Sequence, residues 1–528
     1  METTIPQLVF AAAERYGHRS AIEDTRDGKP IALDFEALAH EGLRATRAFM
    51  AAGIEAGDRV AIWAPNIVEW VIAAIGLQSA GAVLVTLNTR LKGPEAAYIL
   101  RKSGARALCT MADFLGTNYL NMLTAEDLPA LEHRIVLRGS AGENRAESWQ
   151  DFLARGDDVP EEAARQRASQ VTPEDLSDLL FTSGTTGQPK GVMTCHGQNL
   201  RAFETWTEVI GLREGDRYLI VNPFFHSFGY KAGWLSCLIR GATALPQLVF
   251  DVPEVLQRIG QDRISVLPGP PTLYQSILAH PERGDFDLSC LRLAVTGAAA
   301  IPVELIHRMR DELGFETIIT GYGLTETCGI VSMCRYDDDP ETIATTSGRA
   351  IPGAEVECVD EKGEEVPRGE PGEVVVRGYN IMRGYFDDAA ETAATIDSEG
   401  WLHTGDIAVM DERGYLRITD RIKDMFIMGG FNCYPAEIEN QLFSSGQFSQ
   451  VAVIGIPDER MGEVGMAWVV PAPGVETDPE SVIAWCRENM ANYKVPRRVE
   501  IVSELPTNAS GKVLKYVLRE RAANESAS

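Results

Sequence analysis

The chain has 528 residues, of which 45% are hydrophobic and 24% charged, a balance typical of a globular protein with two or more domains. Its formal net charge of −27 disfavours nucleic acids and anionic membranes as partners. The nine cysteines show no zinc-type spacing. We therefore expect no disulfide framework and no structural metal, and a cytoplasmic location fits.

The sequence also predicts no secretory signal and no integral membrane segment. Residues 1–6 lack the basic and apolar regions of a signal peptide, and residues 526–528 do not form a peroxisomal address. The longest apolar run, residues 71–87, is interrupted by glycine and polar residues. It is shorter than the roughly 20 residues that a membrane-spanning helix needs.

The first 170 residues alternate between helical and strand-like patterns. The predicted elements are helices over 5–16, 35–52 and 67–78 and strands over 59–63 and 82–87. Such alternation favours βαβ units and a largely parallel sheet. Residues 141–167 are polar, acidic and alanine-rich, so we predict a surface connection there.

A loop rich in hydroxyl and glycine residues follows the apolar strand end 179–181. Its phosphate-binding candidates are Thr182, Ser183, Gly184, Thr185, Thr186, Gly187 and Lys190. The glycines let backbone N–H groups converge, the hydroxyls add donors and the lysine adds a cation, so a polyphosphate is the indicated ligand. The spacing is not that of a Walker P-loop, since Pro189 and Gly191 flank the lysine. An exposed turn without function is the alternative.

Two further strand ends carry candidate ligand-binding residues. A strand over 218–223 leads to His226, which is either a packed core histidine or a substrate-binding residue. A strand over 291–296 is followed by small residues, namely Gly297, Ala298 and Ala299. Small residues allow a flat ligand to approach the backbone closely, while simple packing of the strand against a helix is the alternative.

A strand over 317–320 ends in a group of residues suited to a nucleotide. The candidates are Gly321, Tyr322, Gly323, Thr325 and Glu326. The tyrosine offers a flat face for stacking on a purine, with space cleared by the two glycines. The threonine and the glutamate offer hard oxygen ligands suited to Mg²⁺.

From Gly348 the pattern becomes β-rich. Predicted strands over 356–359, 372–377 and 384–386 suggest a small barrel. Asp406 follows a glycine turn, where a carboxylate can accept hydrogen bonds from both ribose hydroxyls, although a turn-capping role is the alternative.

The last hundred residues have the pattern of a separate α+β unit. Strand-like segments over 426–432, 451–457, 465–471 and 498–502 alternate with helices that begin near residues 434 and 479. The final loop, 506–512, has Lys512 at its tip. A lysine in such a loop is usually only solvated.

Five stretches together resemble the adenylate-forming superfamily, which includes acyl-CoA synthetases, adenylation domains and firefly luciferase. They are residues 181–191, 321–327, 404–406, 414–432 and 506–512. The resemblance implies an α/β fold. It predicts a large N-terminal domain, 1–423, with parallel-type sheets and a small barrel, and a small α+β lid domain, 424–528.

The resemblance also implies roles for individual residues. Lys512, Glu326, Thr325 and His226 are expected to be catalytic, and Glu326 is expected to bind Mg²⁺. The expected ATP and AMP ligands are the loop residues above together with Gly297, Ala298, Ala299, Gly321, Tyr322, Gly323, Thr325, Asp406, Arg421 and Lys512. Lys423 is the expected hinge, and Gly429 and Gly430 the expected coenzyme A tunnel. The expected acyl pocket contains His226, Tyr230, Trp234 and Gly297.

The function that the resemblance implies is that of an acyl-CoA synthetase. ATP and a small carboxylic acid form acyl-AMP with release of pyrophosphate, and coenzyme A then takes the acyl group and releases AMP. Residues 227–231 contain no carboxylate to hold a substrate ammonium, which argues against an amino acid. A medium or long acyl chain, as in fatty-acid metabolism, or a ring-bearing acid is expected.

Three alternatives stay open at this point. They are a luciferase-like monooxygenase, an acyl-AMP ligase that loads a carrier protein, and a nucleotide-sensing protein without enzyme activity. A homodimer is a further expectation.

Overall fold

The structure is a computed structural model, and it describes residues 2–142, 146–182, 189–297, 301–421, 424–428, 431–458, 461–490, 492–507 and 513–526. No helix in this described part of the chain combines the length and the apolar character that a bilayer span requires.

Strands and helices alternate along the chain. The strands are β1 (Ser20–Arg26), β2 (Lys29–Asp34), β3 (Arg59–Trp63), β4 (Val83–Thr86), β5 (Ala107–Met111), β6 (His133–Arg138), β7 (Glu147–Ser148), β8 (Leu176–Thr182), β9 (Lys190–Cys195), β10 (Arg217–Ile220), β11 (Thr243–Pro246), β12 (Leu293–Gly297), β13 (Thr317–Tyr322), β14 (Ser332–Met333), β15 (Arg349–Ala350), β16 (Ala354–Val359), β17 (Pro371–Gly378), β18 (Gly384–Tyr385), β19 (Leu402–Met410), β20 (Leu416–Arg421), β21 (Phe426–Met428), β22 (Phe431–Cys433), β23 (Phe448–Asp458), β24 (Gly462–Pro471) and β25 (Arg498–Ile501). The helices are α1 (Ile5–Tyr16), α2 (Phe35–Ala51), α3 (Val68–Ser79), α4 (Gly93–Ser103), α5 (Tyr119–Met122), α6 (Trp149–Ala154), α7 (Glu161–Ser169), α8 (His196–Ile210), α9 (Ser227–Gly229), α10 (Ser236–Arg240), α11 (Val252–Gln261), α12 (Pro271–Ala279), α13 (Val303–Asp311), α14 (Pro340–Thr345), α15 (Ala389–Thr395), α16 (Pro435–Ser444), α17 (Pro479–Asn489) and α18 (Lys515–Ser526).

An eight-stranded sheet forms the centre of the N-terminal region. Its strand order is β18-β9-β8-β4-β3-β5-β6-β7. The pairs from β8 across to β7 are parallel, while β9 and β18 are antiparallel additions at one edge. The parallel core of the sheet confirms the fold class that the alternating pattern predicted.

The first helices follow the sequence prediction closely and have clear local causes. The Thr4 side chain accepts from the Gln7 N–H at the start of α1, and Asp34 accepts from the Ala37 N–H at the start of α2. All twelve residues of α3 are buried, including three polar ones, Glu69, Gln78 and Ser79. Two of these are paired: Glu69 binds Arg138, and Gln78 donates to the Tyr230 hydroxyl. A helix with apolar residues on every side is thereby placed in the interior of the fold.

Two smaller sheets complete the α/β part. Their orders are β10-β11-β1-β2 and β12-β13-β14-β15. Within the second sheet, β12 and β13 are parallel and in register, so that Gly297 lies opposite Gly321. The two strand ends with candidate nucleotide ligands are therefore neighbours.

The β-rich region differs in detail from the prediction. β16, β17, β19 and β20 pair as a four-stranded antiparallel sheet, and an isolated bridge between Arg349 and Tyr415 links it to β15. The predicted strand at 384–386 lies elsewhere, because β18 pairs with β9 at the edge of the large sheet.

The C-terminal region has a core of its own. β21 to β25 form one sheet, and its apolar cluster includes Phe426, Ile438, Leu442, Val453 and Val469. These elements match the predicted α+β unit, with α18 as an additional helix at its end. The division between residues 423 and 424 stays a prediction.

The segment 141–167, predicted as a surface connection, contains two helices. Trp149, Phe152 and Leu153 of α6 are buried in the main core. The segment is mostly polar, so its composition does not indicate that these few apolar residues are buried. Their burial depends on contacts with distant residues such as Phe49, whose ring packs edge-to-face against Phe152 with 4.9 Å between centroids.

Candidate active site

The predicted phosphate loop joins two strands of the large sheet. β8 and β9 form an antiparallel hairpin, and Thr182 pairs with Lys190 at the end where the loop joins the two strands. β8 also runs parallel to β4, so this loop end lies at the carboxyl edge of the parallel strands, where α/β sheets bind ligands. Five predicted ligands lie outside the described residues: Ser183, Gly184, Thr185, Thr186 and Gly187.

Glu326 lies next to this loop end of the hairpin. It is part of a short 3-10 turn, Thr325–Thr327, that follows β13. Its Oε1 accepts from the Tyr385 hydroxyl at 3.0 Å and from the Thr182 hydroxyl at 3.4 Å. Burial and the carboxylate itself raise the pKa of Tyr385, which keeps that hydroxyl protonated as a donor. The structure thus brings the predicted metal ligand to the edge of the predicted phosphate loop.

The donor set around Glu326 fits Mg²⁺ held mainly by a substrate. In the described part of the chain, no cluster of three or more potential ligands forms a protein cage for a metal. Mg²⁺ is commonly held by one or two carboxylates together with phosphate oxygens and water, and a single partly exposed glutamate suits that arrangement.

The predicted purine and ribose ligands are also brought together. The Tyr322 hydroxyl donates to Asp406 Oδ2 at 2.6 Å, although 84 residues separate the two in sequence. Asp406 is only 3% exposed, and its backbone lies opposite that of Arg421 in the β19–β20 ladder. A flat ring, a carboxylate and the strand that carries Arg421 therefore meet at one place.

A brace that the sequence did not reveal supports the turn before Asp406. Glu373 Oε1 accepts from the Gly405 N–H at 3.0 Å, and its Oε2 lies 2.9 Å from His403 Nδ1. Gly405 has a φ of +70°, a conformation that favours glycine. Glu373 and His403 lie on neighbouring strands, 30 residues apart, so no local pattern could have indicated their contact.

The glycines at the strand ends have a packing cause. A Cβ on Gly297 would lie 2.4 Å from the Gly321 carbonyl oxygen, and one on Gly323 would lie 2.3 Å from the Gly329 carbonyl oxygen. Close approach of the backbone thus explains both positions without a ligand, while their role at the nucleotide stays a prediction. Ala298 and Ala299 lie outside the described residues.

His226 is exposed at the start of the short helix α9. Its Nδ1 accepts from the Phe228 N–H at 3.2 Å. Although the side chain is partly open to solvent, the protein packed around the ring and, to a smaller extent, Lys231 lower the pKa of His226. Because Nδ1 accepts from a backbone N–H, the neutral ring carries its proton on Nε2 and has a donor to offer a ligand.

Tyr230 and Trp234 are fully enclosed instead. Their rings stack with 5.0 Å between centroids, and Trp70 packs against both. Both belong to the main core, in a π-helical segment, Tyr230–Leu235, that follows α9. Of the four predicted acyl-pocket residues, His226 is exposed and Gly297 half-buried, and the contribution of Tyr230 and Trp234 to a pocket stays a prediction.

The remaining predicted site residues belong to the C-terminal region and its hinge. Lys423, Gly429, Gly430 and Lys512 lie outside the described residues, as does the side chain of Arg421. The neighbouring backbone is described: β21 and β22 form a hairpin around the two glycines, and Thr507 bridges Val513 across the loop with Lys512.

Comparison with known proteins agrees with these motifs. A family model described as AMP-binding enzyme matches residues 9–386, and its C-terminal domain model matches residues 437–512. A 7a-methyl-1,5-dioxo-octahydro-1H-inden-4-yl propanoyl:CoA ligase of Rhodococcus jostii is 49% identical over 523 residues, covering 98% of both chains. The ligase of the same name from Mycobacterium tuberculosis is 50% identical over 476 residues, covering 90% of this chain and 91% of its own. The crystal structure of an anthranilate CoA ligase in complex with anthranoyl-AMP is 28% identical, with a TM-score of 0.88 and 100% of both chains covered.

The chain therefore belongs to the AMP-binding enzyme family, the adenylate-forming superfamily that its motifs resemble. Within this family it is an acyl-CoA synthetase, an acid–thiol ligase that uses ATP. This confirms the predicted reaction class, and the monooxygenase, carrier-loading and non-enzymatic alternatives are not favoured by these relatives.

Proposed function

We propose that this enzyme activates a ring-bearing carboxylic acid, of the fused-ring propanoate type, as its acyl-AMP and transfers it to coenzyme A. The observation that carries the proposal is the similarity, at 49% and 50% identity over nearly the whole chain, to two ligases named for such an acid. The segment 227–231 supports it, because it offers no carboxylate to hold an amino-acid ammonium.

The first half-reaction joins two anions, so its main requirement is charge neutralisation. The acid must attack the α-phosphorus of ATP, and we assign this neutralisation to Lys512 near the reacting atoms and to Lys190 on the outer phosphates. A magnesium ion held by Glu326 and phosphate oxygens would add a hard cation at the same place. Thr182 and the loop hydroxyls donate to the phosphates.

The nucleoside is held by residues that the fold brings together. Tyr322 stacks on the adenine. Asp406 accepts hydrogen bonds from the ribose hydroxyls, which either replace the Tyr322 hydroxyl on the carboxylate or bind beside it. Arg421, on the strand opposite Asp406, adds a cation near the ribose and α-phosphate. His226, neutral and with a free Nε2–H, donates to the acid at the entrance of the acyl site.

In the second half-reaction, coenzyme A must reach the acyl carbon of acyl-AMP by a different route. We assign the change to rotation about Lys423, which withdraws Lys512 and admits coenzyme A past Gly429 and Gly430.

A cytoplasmic location and a homodimer are part of the proposal. Sedimentation of the purified protein tests the latter.

A substrate panel tests the proposed function. AMP release with coenzyme A is measured for a fused-ring propanoic acid, an aromatic acid, octanoic acid, palmitic acid and the free amino acids. The ring-bearing acids should give the highest kcat/KM, and amino acids should give no ATP–pyrophosphate exchange. A straight-chain acid with a higher kcat/KM than every ring-bearing acid would contradict the proposed substrate class. Robust ATP–pyrophosphate exchange with an amino acid would contradict the proposal that the substrate lacks an ammonium group.

A further inference from the structure

The predicted phosphate-binding lysine already has an anionic partner. Lys190 Nζ forms an ion pair with the Glu391 carboxylate, and its ammonium lies 5.2 Å from the centroid of the Tyr385 ring. The Lys190 side chain is 14% exposed and that of Glu391 is 36% exposed. The pair is thus partly shielded from water, on the side of the site where a polyphosphate is expected.

The partner is held in place by the strand that also pairs with β9. Tyr385 of β18 lies opposite Val192, and the Phe386 N–H donates to the Gly191 carbonyl at 2.7 Å. α15 begins directly afterwards, and the Glu391 N–H is capped by Asp388 at 3.0 Å. The backbone that carries Glu391 is therefore fixed to the strand that carries Lys190.

The same segment reaches the predicted metal ligand. The Tyr385 hydroxyl donates to Glu326 while its ring lies beside the Lys190 ammonium. One short stretch, residues 385–391, thus contacts both groups assigned to the outer phosphates of ATP.

We propose that Glu391 is the counter-ion of Lys190 in the nucleotide-free enzyme and that the β- and γ-phosphates of ATP displace it. Glu391 is then a positioning residue: it holds the Lys190 side chain in a defined place, and it lowers the affinity for ATP because the ion pair must be broken. This inference rests on the phosphate-binding role proposed for Lys190.

The physical reason is competition for one cation. A triphosphate that approaches Lys190 must break an existing ion pair and also meets the like charge of Glu391. Pyrophosphate must break the same ion pair and is repelled by the same carboxylate. AMP does not, because it lacks the two phosphates that Lys190 is assigned to bind.

Binding of ATP, pyrophosphate and AMP to Glu391→Gln tests the proposal. Dissociation constants are measured by titration calorimetry on the full-length enzyme without acid and coenzyme A. We expect ATP and pyrophosphate to bind roughly fivefold more tightly than to the parent, a change of the size that one partly exposed charge contact produces, and AMP to bind unchanged. Asp387→Asn is the matched control: it removes a carboxylate four residues away that pairs with Lys102, and it should leave all three constants unchanged.

The possible results separate the inference from the function on which it rests. Unchanged or weaker ATP binding in Glu391→Gln overturns the inference, as does an equal shift for AMP, which would indicate a general structural effect. Glu391→Asp keeps the charge and should stay within about twofold of the parent; tighter ATP binding there also overturns it. If Lys190→Gln does not weaken ATP binding, the proposed role of Lys190 is wrong. If Lys190→Gln weakens ATP binding while Glu391→Gln does not strengthen it, only the inference fails.

Discussion

Lys231 Nζ lies 3.0 Å from Asp178 Oδ1, and both side chains are fully buried. Thr194 bridges them, since its hydroxyl accepts from Lys231 at 2.9 Å and donates to Asp178 at 2.6 Å. Asn199 donates to the other carboxylate oxygen at 2.7 Å. Asp178 lies on β8, which leads into the predicted phosphate loop, and Lys231 follows the turn with His226. The pair therefore connects the strand before the predicted phosphate loop to the segment of the predicted acyl pocket.

Breaking this pair should strongly destabilise the N-terminal region. Lys231→Met leaves a buried carboxylate without its counter-ion, a change that typically costs about 3–5 kcal/mol of unfolding free energy. Urea unfolding followed by fluorescence measures the loss. Lys102→Met is the control, because Lys102 pairs with Asp387 at the surface and should contribute less than about 1 kcal/mol. Equal, small effects of both variants would contradict the importance of the buried pair.

Glu326 should control the metal requirement of adenylation. Glu326→Ala removes a hard oxygen ligand, so we expect slower ATP–pyrophosphate exchange and half-maximal activity at a higher Mg²⁺ concentration. Tyr385→Phe removes only the hydroxyl that orients the carboxylate and should give a smaller shift in the same direction. If Mg²⁺ dependence is unchanged in Glu326→Ala, the metal is held by phosphates and water alone.

Asp406 should recognise the ribose hydroxyls. Asp406→Asn should raise the KM for ATP by roughly tenfold, because charge-assisted hydrogen bonds contribute about 1.5–3 kcal/mol. The KM for 2′,3′-dideoxy-ATP, which lacks the hydroxyls, should change little. Tyr322→Phe keeps the ring and removes the donor to Asp406, so it should affect ATP less than the asparagine variant. An equal loss for ATP and the dideoxy nucleotide would show that Asp406 only supports the fold.

Lys512 should act in the first half-reaction alone. Loss of one preorganised electrostatic partner typically costs about 10²–10³ in rate, so Lys512→Ala should lose adenylation by at least that factor. Given chemically made acyl-adenylate and coenzyme A, the same variant should form thioester at nearly the parent rate. Failure in both assays, or normal acyl-CoA formation from acid and ATP, would show that the assigned role is wrong.

His196 should make stability depend on pH. Burial lowers the pKa of His196 to about 4, although Asp178 and Asp175 oppose this effect. Its Nδ1 accepts from the Ile5 N–H at 3.3 Å, an interaction that only the neutral ring can make. Between the unfolded-state pKa of about 6.5 and the folded-state value, His196 is protonated in the unfolded chain but not in the folded one. The free energy of unfolding therefore falls as pH decreases through this window.

The contribution of this one histidine is of the order of 3 kcal/mol at most, and above about pH 6.5 it is independent of pH. Urea midpoints at pH 7.5, 6.0 and 5.0 measure the change, and His196→Gln should flatten the difference between them. His18, exposed at the surface beside Asp34, provides the control, since His18→Gln should leave the pH dependence nearly as it is. A parent profile that is flat from pH 7.5 to 5.0 would contradict the prediction.

Elements whose cause lies within a few residues were predictable from the sequence. Helix 5–16 and strand 59–63 have the bounds that periodicity predicted, because side-chain spacing and capping act locally. The order of the five motifs was sufficient for the family and for the reaction class, since the spacing of hydroxyls, glycines and charged residues is itself a sequence property.

Contacts between distant segments were decided only by the tertiary structure. Glu391 reaches Lys190 across 201 residues, and Tyr385 reaches Glu326 across 59, because β18 joins the large sheet instead of the smaller β-rich sheet. Tyr230 and Trp234, expected at a pocket, are enclosed by Trp70 of a helix that lies far earlier in the chain. Which side chains meet depends on strand order and on packing between elements, and neither has a signature in the residues of one segment.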